Sequence, residues 1–181
     1  FTVYNGTLRS RIARLNADGT LDQSYNAGFN NVIRRMAFQA DGKLLVGGAF
    51  SLVNGYTRQC CARLNADGSV DASFDAGVVP GAVLSLAPLA DGRILFGGTF
   101  GTFGGQVHSA LVRVDANGAV DPGPSMYSVG NSVFALVVQP DGKLLVGSQS
   151  TRYGSSGRNR FTRVVMYAGT CVKLMLQGPY N

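Results

Sequence analysis

The stretch "DGKLLVGGAF" occupies residues 41–50, and near-copies return as "DGRILFGGTF" at 91–100 and "DGKLLVGSQS" at 141–150. Ten residues repeated at a fixed interval mark a copied structural unit rather than a single binding site. Other positions recur at intervals of 49 or 50 residues. Arg14, Arg63, Arg113 and Arg163 lie in "ARLNADGTLD", "ARLNADGSVD", "VRVDANGAVD" and the degraded "TRVVMYAGT". Phe1, Phe50 and Phe100 each precede one of the first three arginines by the same distance. The chain therefore divides into 1–30, the second half of a unit; 31–80 and 81–130, complete units; 131–168, a degenerate last unit; and 169–181, a C-terminal strand or the start of a following domain.

Within each unit the apolar pattern is that of strands. "NVIRRMAFQ", "AVLSLAPL" and "SVFALVVQP" each run into an Asp-Gly turn and then an apolar strand, which predicts a hairpin. A variable loop follows, then a third strand ("QCCARLN", "SALVRVD"), a second turn at "ADG" or "ANG", and a fourth segment such as "SVDASFDAG". Four short antiparallel strands in about fifty residues, repeated, are the sequence form of a β-propeller blade. A solenoid is the alternative, although its rungs are commonly shorter. The pairs Gly47-Gly48 and Gly97-Gly98 predict close approach of neighbouring backbones. The fold class is all-β: blades of four antiparallel strands, about three and a half units, fewer than the four to eight of a closed propeller. Either a longer propeller contains this piece, or two copies complete a ring.

Composition agrees. The 181 residues include no Glu, 14% are charged, and 25 are Gly, leaving little from which to build long amphipathic helices. No apolar run approaches the roughly twenty residues of a transmembrane helix. Cys60, Cys61 and Cys171 cannot all pair within one chain, and neighbouring strand residues point to opposite faces, so no Cys60–Cys61 bond is expected.

The net charge of +6 raises nucleic acid as a partner, but the arginines fall at repeat positions and read as solvated strand-edge residues. Nucleic acid is not the expected partner, even at "TRYGSSGRNRFTR", where arginines surround Tyr153 and Phe161. Eight of the ten aspartates also sit at repeat positions. Asp18-Gly19, Asp41-Gly42, Asp67-Gly68, Asp91-Gly92 and Asp141-Gly142 read as structural turns, and Asp22, Asp71 and Asp121 are assigned to turn chemistry with them; Asp75 and Asp115 fall outside these classes. "NADGSVD" lacks the terminal bidentate Glu of a calcium loop. His108 is the only histidine, so no His cluster for a metal exists and it reads as an exposed loop residue. The glycine-rich segments open no helix and offer no phosphate cradle. Neither catalytic nor metal-binding residues, and no cofactor, are expected.

The units "LNADGTLDQSY … VIRRMAFQADGKLLVGGAF" and "LNADGSVDASF … VLSLAPLADGRILFGGTF" resemble the delta-60 repeat, a β-propeller repeat of bacterial secreted and cell-surface proteins, over residues 1 to about 168. The resemblance implies an extracellular or cell-surface location and a non-catalytic scaffold or adhesion role. Its implied partners are other protein domains or subunits of a surface assembly, with a glycan as the further option. The tail "CVKLMLQGPYN" departs from the pattern.

The variable loops "TVYNGTLR", "SLVNGYTR", "GTFGGQVH" and "TRYGSSGR" fall at one point of their units and hence on one rim, where recognition commonly resides. Tyr4, Tyr56, Arg58, Phe103, His108, Tyr153 and Arg158 are the candidate partner-binding side chains, expected to be exposed. The competing class is a propeller hydrolase or lyase with a central-channel site, for which the inner strands supply only Arg34, Arg35 and Ser85.

Overall fold

The computed structural model describes residues 1–121 and 132–149, with the backbone of the strands 161–167 and 170–171. All regular structure among them is β. Strands β1 (Val3–Tyr4) and β2 (Thr7–Leu8) form a short ribbon. The second unit holds β3 (Ile33–Phe38), β4 (Leu44–Gly48), a ribbon of β5 (Leu52–Val53) and β6 (Tyr56–Thr57), and β7 (Cys61–Leu64). The third repeats it with β8 (Val83–Pro88), β9 (Ile94–Gly98), the ribbon β10 (Thr102–Phe103) and β11 (Gln106–Val107), and β12 (Leu111–Val114). Last come β13 (Val133–Val138), β14 (Lys143–Ser148), β15 (Phe161–Tyr167) and β16 (Thr170–Cys171). The sheets are β3-β4-β7, β8-β9-β12 and β13-β14-β15-β16, antiparallel throughout. These are β-propeller blades.

The Asp-Gly turns set the register. In the first hairpin Gln39 and Lys43 close a three-residue loop, with the Gln39 N–H donating to the Lys43 carbonyl and Gly42 at φ 80°. A side chain is disfavoured in that left-handed conformation, which is why Gly stands there. The preceding Asp41 accepts from the Lys43 N–H, as Asp91 does from Arg93 and Asp141 from Lys143. The second turn of each unit uses the same device: Asp18 accepts from the amide and hydroxyl of Thr20, and Asp67 from those of Ser69. All five turn aspartates are thus accounted for. Asp115 joins them, accepting from the Asn117 and Ala119 amides.

The core lies between blades. Strand alternation sends Leu44, Val46, Ala62 and Leu64 into a cluster with Ile12, Tyr25 and Phe29, while Leu45 and Cys61 join Val83, Leu86, Phe96 and Val112 on the other side. Leu95 and Leu111 meet Val133, Leu144 and Val146 in a third cluster. Both faces of a strand are therefore buried, and each fully buried ring, such as Phe50, Phe74 or Phe96, contributes roughly 1.5–3 kcal/mol. Strand β3 packs along β8, and β8 along β13, so the first strands of successive blades stand side by side. The paired glycines make the approach possible: a Cβ on Gly47 would lie 2.5 Å from Val83, and one on Gly97 2.5 Å from Val133.

Two expectations change. The fourth segment is tied to the third strand by a single bridge in each complete unit, Leu64 to Val70 and Val114 to Val120, because the chain turns away at Asp71, whose carbonyl receives the Phe74 N–H. Two of the third-strand arginines are not solvated: Arg63 and Arg113 are buried. Each is held by the aspartate eight residues on, Arg63 Nε donating to Asp71 Oδ2 at 2.7 Å and Arg113 Nε to Asp121 Oδ2 at 2.7 Å. Asp22, Asp71 and Asp121 are therefore ion-pair partners as well as turn residues. The guanidinium also crosses the seam, Arg14 donating to the Ala66 carbonyl and Arg63 to that of Ala116 at 2.6 Å.

Candidate functional site: the ribbon rim

The first three variable loops are tight two-residue-strand ribbons. Their tips, Asn5-Gly6, Asn54-Gly55 and Gly104-Gly105, all have positive φ, the geometry of a type I′ turn and the reason Asn and Gly stand there. Each ribbon is closed at its base in the same way. Arg11, Cys60 and Ala110, all at φ between 63° and 70°, donate their amides to the carbonyls of Phe1, Phe50 and Phe100.

One side of each ribbon faces the core. Tyr4, Val53 and Phe103 are equivalent; Val53 and Phe103 are fully buried, and Tyr4 is half-buried. Phe103 is thus not an exposed contact residue: its ring stacks on Phe96 at 5.5 Å and meets Phe100 edge-on at 5.2 Å. The sequence could not distinguish it from a rim aromatic, because its counterparts are Val and Tyr. The Asn54 tip is anchored further, its side chain accepting from the Gly28 N–H and donating to the Gly68 carbonyl.

Arg9, Arg58 and His108 also share one position, beneath the ribbons. Arg58 and His108, expected to be exposed, are largely covered. Arg58 lies 3.4 Å from Asp75 and donates to the Thr57 carbonyl. Burial lowers the pKa of His108, which keeps its imidazole neutral at neutral pH. Arg9, which the sequence did not single out, is buried and donates to the Leu8 carbonyl and to Gln23. The Arg9 Nε, the Arg58 Nε and the His108 Nε2 are buried without a hydrogen-bond partner. Aligning the units on Phe1, Phe50 and Phe100 would have revealed this row.

The outward side of the ribbons carries the exposed groups. Tyr56 is 62% exposed, and Leu8 and Val107, equivalent to each other and overlooked in the sequence, are 78% and 84% exposed. Tyr153 and Arg158 lie outside the described residues, as does the Cys171 side chain. The polar groups of the inner strands are not brought together: Arg34 and Arg35 are exposed on β3, whereas Ser85 is buried against the Val133 carbonyl at 3.5 Å. Cys60 and Cys61 are free, buried thiols, and burial pushes both up from the ordinary thiol range. Among the described residues no group of three His, Cys, Asp or Glu side chains is placed to hold a metal ion.

A family model described as "Domain of unknown function (DUF5122) beta-propeller" matches residues 1–25, 39–74, 89–123 and 139–164, more than half of the chain. Each complete matched segment runs from an Asp-Gly hairpin through the ribbon and third strand to the aspartate that holds the buried arginine. The first strands β3, β8 and β13 lie outside the match, whose later segments each begin at the residue that follows one of them. No curated protein matches the chain.

Proposed function

From the premise that this chain belongs to the DUF5122 β-propeller family, we propose that it is a non-catalytic interaction module, its repeat of the delta-60 kind, acting in a bacterial cell-surface or secreted assembly. The observation that carries this reading is the contrast within the ribbons. Their inward residues are locked into the core, while Leu8, Tyr56 and Val107 stand exposed on a rigid base, and here the copies stop agreeing. Exposed aromatic and aliphatic groups beside arginine on a preorganised loop suit contact with another protein. A glycan is the second ligand class, for which Tyr56 would supply the stacking face. The buried aspartates are engaged by arginine and lysine, an arrangement that supports structure rather than general acid–base chemistry.

The test is a set of rim variants, Leu8→Ser, Tyr56→Ser and Val107→Ser combined, compared with the unaltered chain for binding to surface extracts of the source cells. The combined variant is expected to melt within a few degrees of the parent and to lose binding. Unchanged binding, or turnover of a substrate by the purified chain, would overturn the reading.

A further inference from the structure

Where the second and third units meet, a groove of about 420 Å³ opens between the hairpin turns 39–42 and 89–92. The paired sheets of both units, β3-β4-β7 and β8-β9-β12, are present on its two sides. Phe38 and the half-buried Pro88 and Leu89 give it apolar walls, and Arg63 and Ala116 line it where the guanidinium crosses the seam. The volume is that of a small-molecule site. It is separate from the ribbons, none of whose residues lines it.

The polar groups of this groove are only partly satisfied. Gln39 Oε1 is buried without a hydrogen-bond partner, a cost that a donor on a ligand would relieve. The third unit carries Leu89 at the equivalent position, so the blade does not require the amide. With no partner to hold it, the side chain can turn about its last torsion and offer either its oxygen or its NH2 group. The Arg63 side chain is 7% exposed, and it donates once each to Asp71, Ala116 and Ser73. A guanidinium carries five N–H donors, so two remain for a ligand.

Charge and spacing select the ligand. The Arg63 charge is already matched by Asp71, and the exposed Asp41 also lines the groove, so an anion gains little there. The guanidinium repels a metal cation. An extended peptide seeks a strand edge to pair with, whereas this groove lies over the ends of β3 and β8. A neutral group with donors and acceptors on adjacent atoms and an apolar C–H face fits all three conditions. We propose that the seam groove is a saccharide-binding site, taking a neutral sugar whose hydroxyls donate to Gln39 and Asp41 and accept from Arg63, with its C–H face on Phe38 and Pro88.

The test titrates the whole chain with maltose, cellobiose, lactose and N,N′-diacetylchitobiose while following its amide resonances. At least one sugar is expected to bind and to shift residues 39–42 and 89–92, leaving 54–57 unmoved. Gln39→Leu, which copies the third unit, should melt within a few degrees of the parent and weaken sugar binding about tenfold, the loss of one hydrogen bond. Tyr56→Ser should bind the sugar unchanged, and Gln39→Leu should leave binding to surface extracts unchanged, so this site and the rim reading fail separately. Binding of none of the four sugars, shifts confined to the ribbons, or affinity indifferent to Gln39→Leu would overturn the proposal. So would tighter binding of a uronic-acid disaccharide, which would make an anion the ligand.

Discussion

Arg14–Asp22 and Arg63–Asp71 have the same local geometry, with Nε to Oδ2 at 2.7 Å in each, the same serine two residues after the aspartate and an aromatic ring under the guanidinium. Their surroundings differ. The Arg63 side chain is 7% exposed and that of Arg14 40%: β4 pairs with the strand that carries Arg63, and Lys43 beside it reaches Asp71, whereas no described strand pairs with that edge of residues 12–15. Eight residues of sequence are enough to form the pair, but the neighbouring strands decide its energy, since ion pairs gain or lose most through desolvation.

The sharpest break of this comparison is Arg63→Ala, which takes the buried guanidinium away from Asp71, Ser73 and the Ala116 carbonyl and leaves Asp71 only Lys43 as a cation. Denaturant melts should show a loss of about 3–5 kcal/mol, whereas Arg14→Ala should lose at most about 1 kcal/mol; equal losses would mean that burial does not separate the two sites. Next is Leu64→Ala, expected to cost about 2–5 kcal/mol by cavity formation, against less than about 1 kcal/mol for the half-exposed Leu15→Ala. Smaller again is Lys43→Met, which leaves Asp71 its arginine and should cost about 1 kcal/mol.

Acid sharpens the contrast. Burial pushes the Asp71 carboxyl up, but hydrogen bonds from Lys43, Ser73 and Arg63 outweigh it and hold the group well below the ordinary 3.8. For Asp22 the hydroxyl and amide of Ser24, then Arg14, bring the value to about 2. Both folded values are depressed, so their stabilisation is complete above pH 3.8 and fades as the pH falls toward the folded values. Thermal melts from pH 5 to 2 should steepen downward, and Asp71→Asn should flatten that slope. The smallest expected signal is at Cys60 and Cys61: burial raises both thiols, so a thiol reagent should label neither until the chain unfolds.

The architecture was legible because spacing carries it. Asp-Gly recurs at a fixed interval, glycine pairs recur where backbones meet, and apolar alternation marks the strands. Buried arginine was not legible. Arg63 occupies a polar place in an alternating strand, which normally faces water, and the carbonyl that receives it belongs to Ala116, 53 residues away in the next unit. The rim was legible only in part. Tyr56 was found because an aromatic at a loop tip is conspicuous, while Leu8 and Val107 passed as ordinary strand residues. Phe103 was misplaced for the opposite reason, since two-residue ribbons are too short for alternation to show which side faces in.

The clusters at the seams make foldedness a property of neighbours. Every cluster is shared by two units, so no described unit owns a hydrophobic interior. A single excised unit, such as 31–80, should behave as a disordered chain, and two in tandem should be the shortest length at which cooperative melting begins. Amide exchange should then grade along the array, slowest in 31–80 and 81–121, each of which shares clusters on both sides, and fastest wherever one side goes unshared.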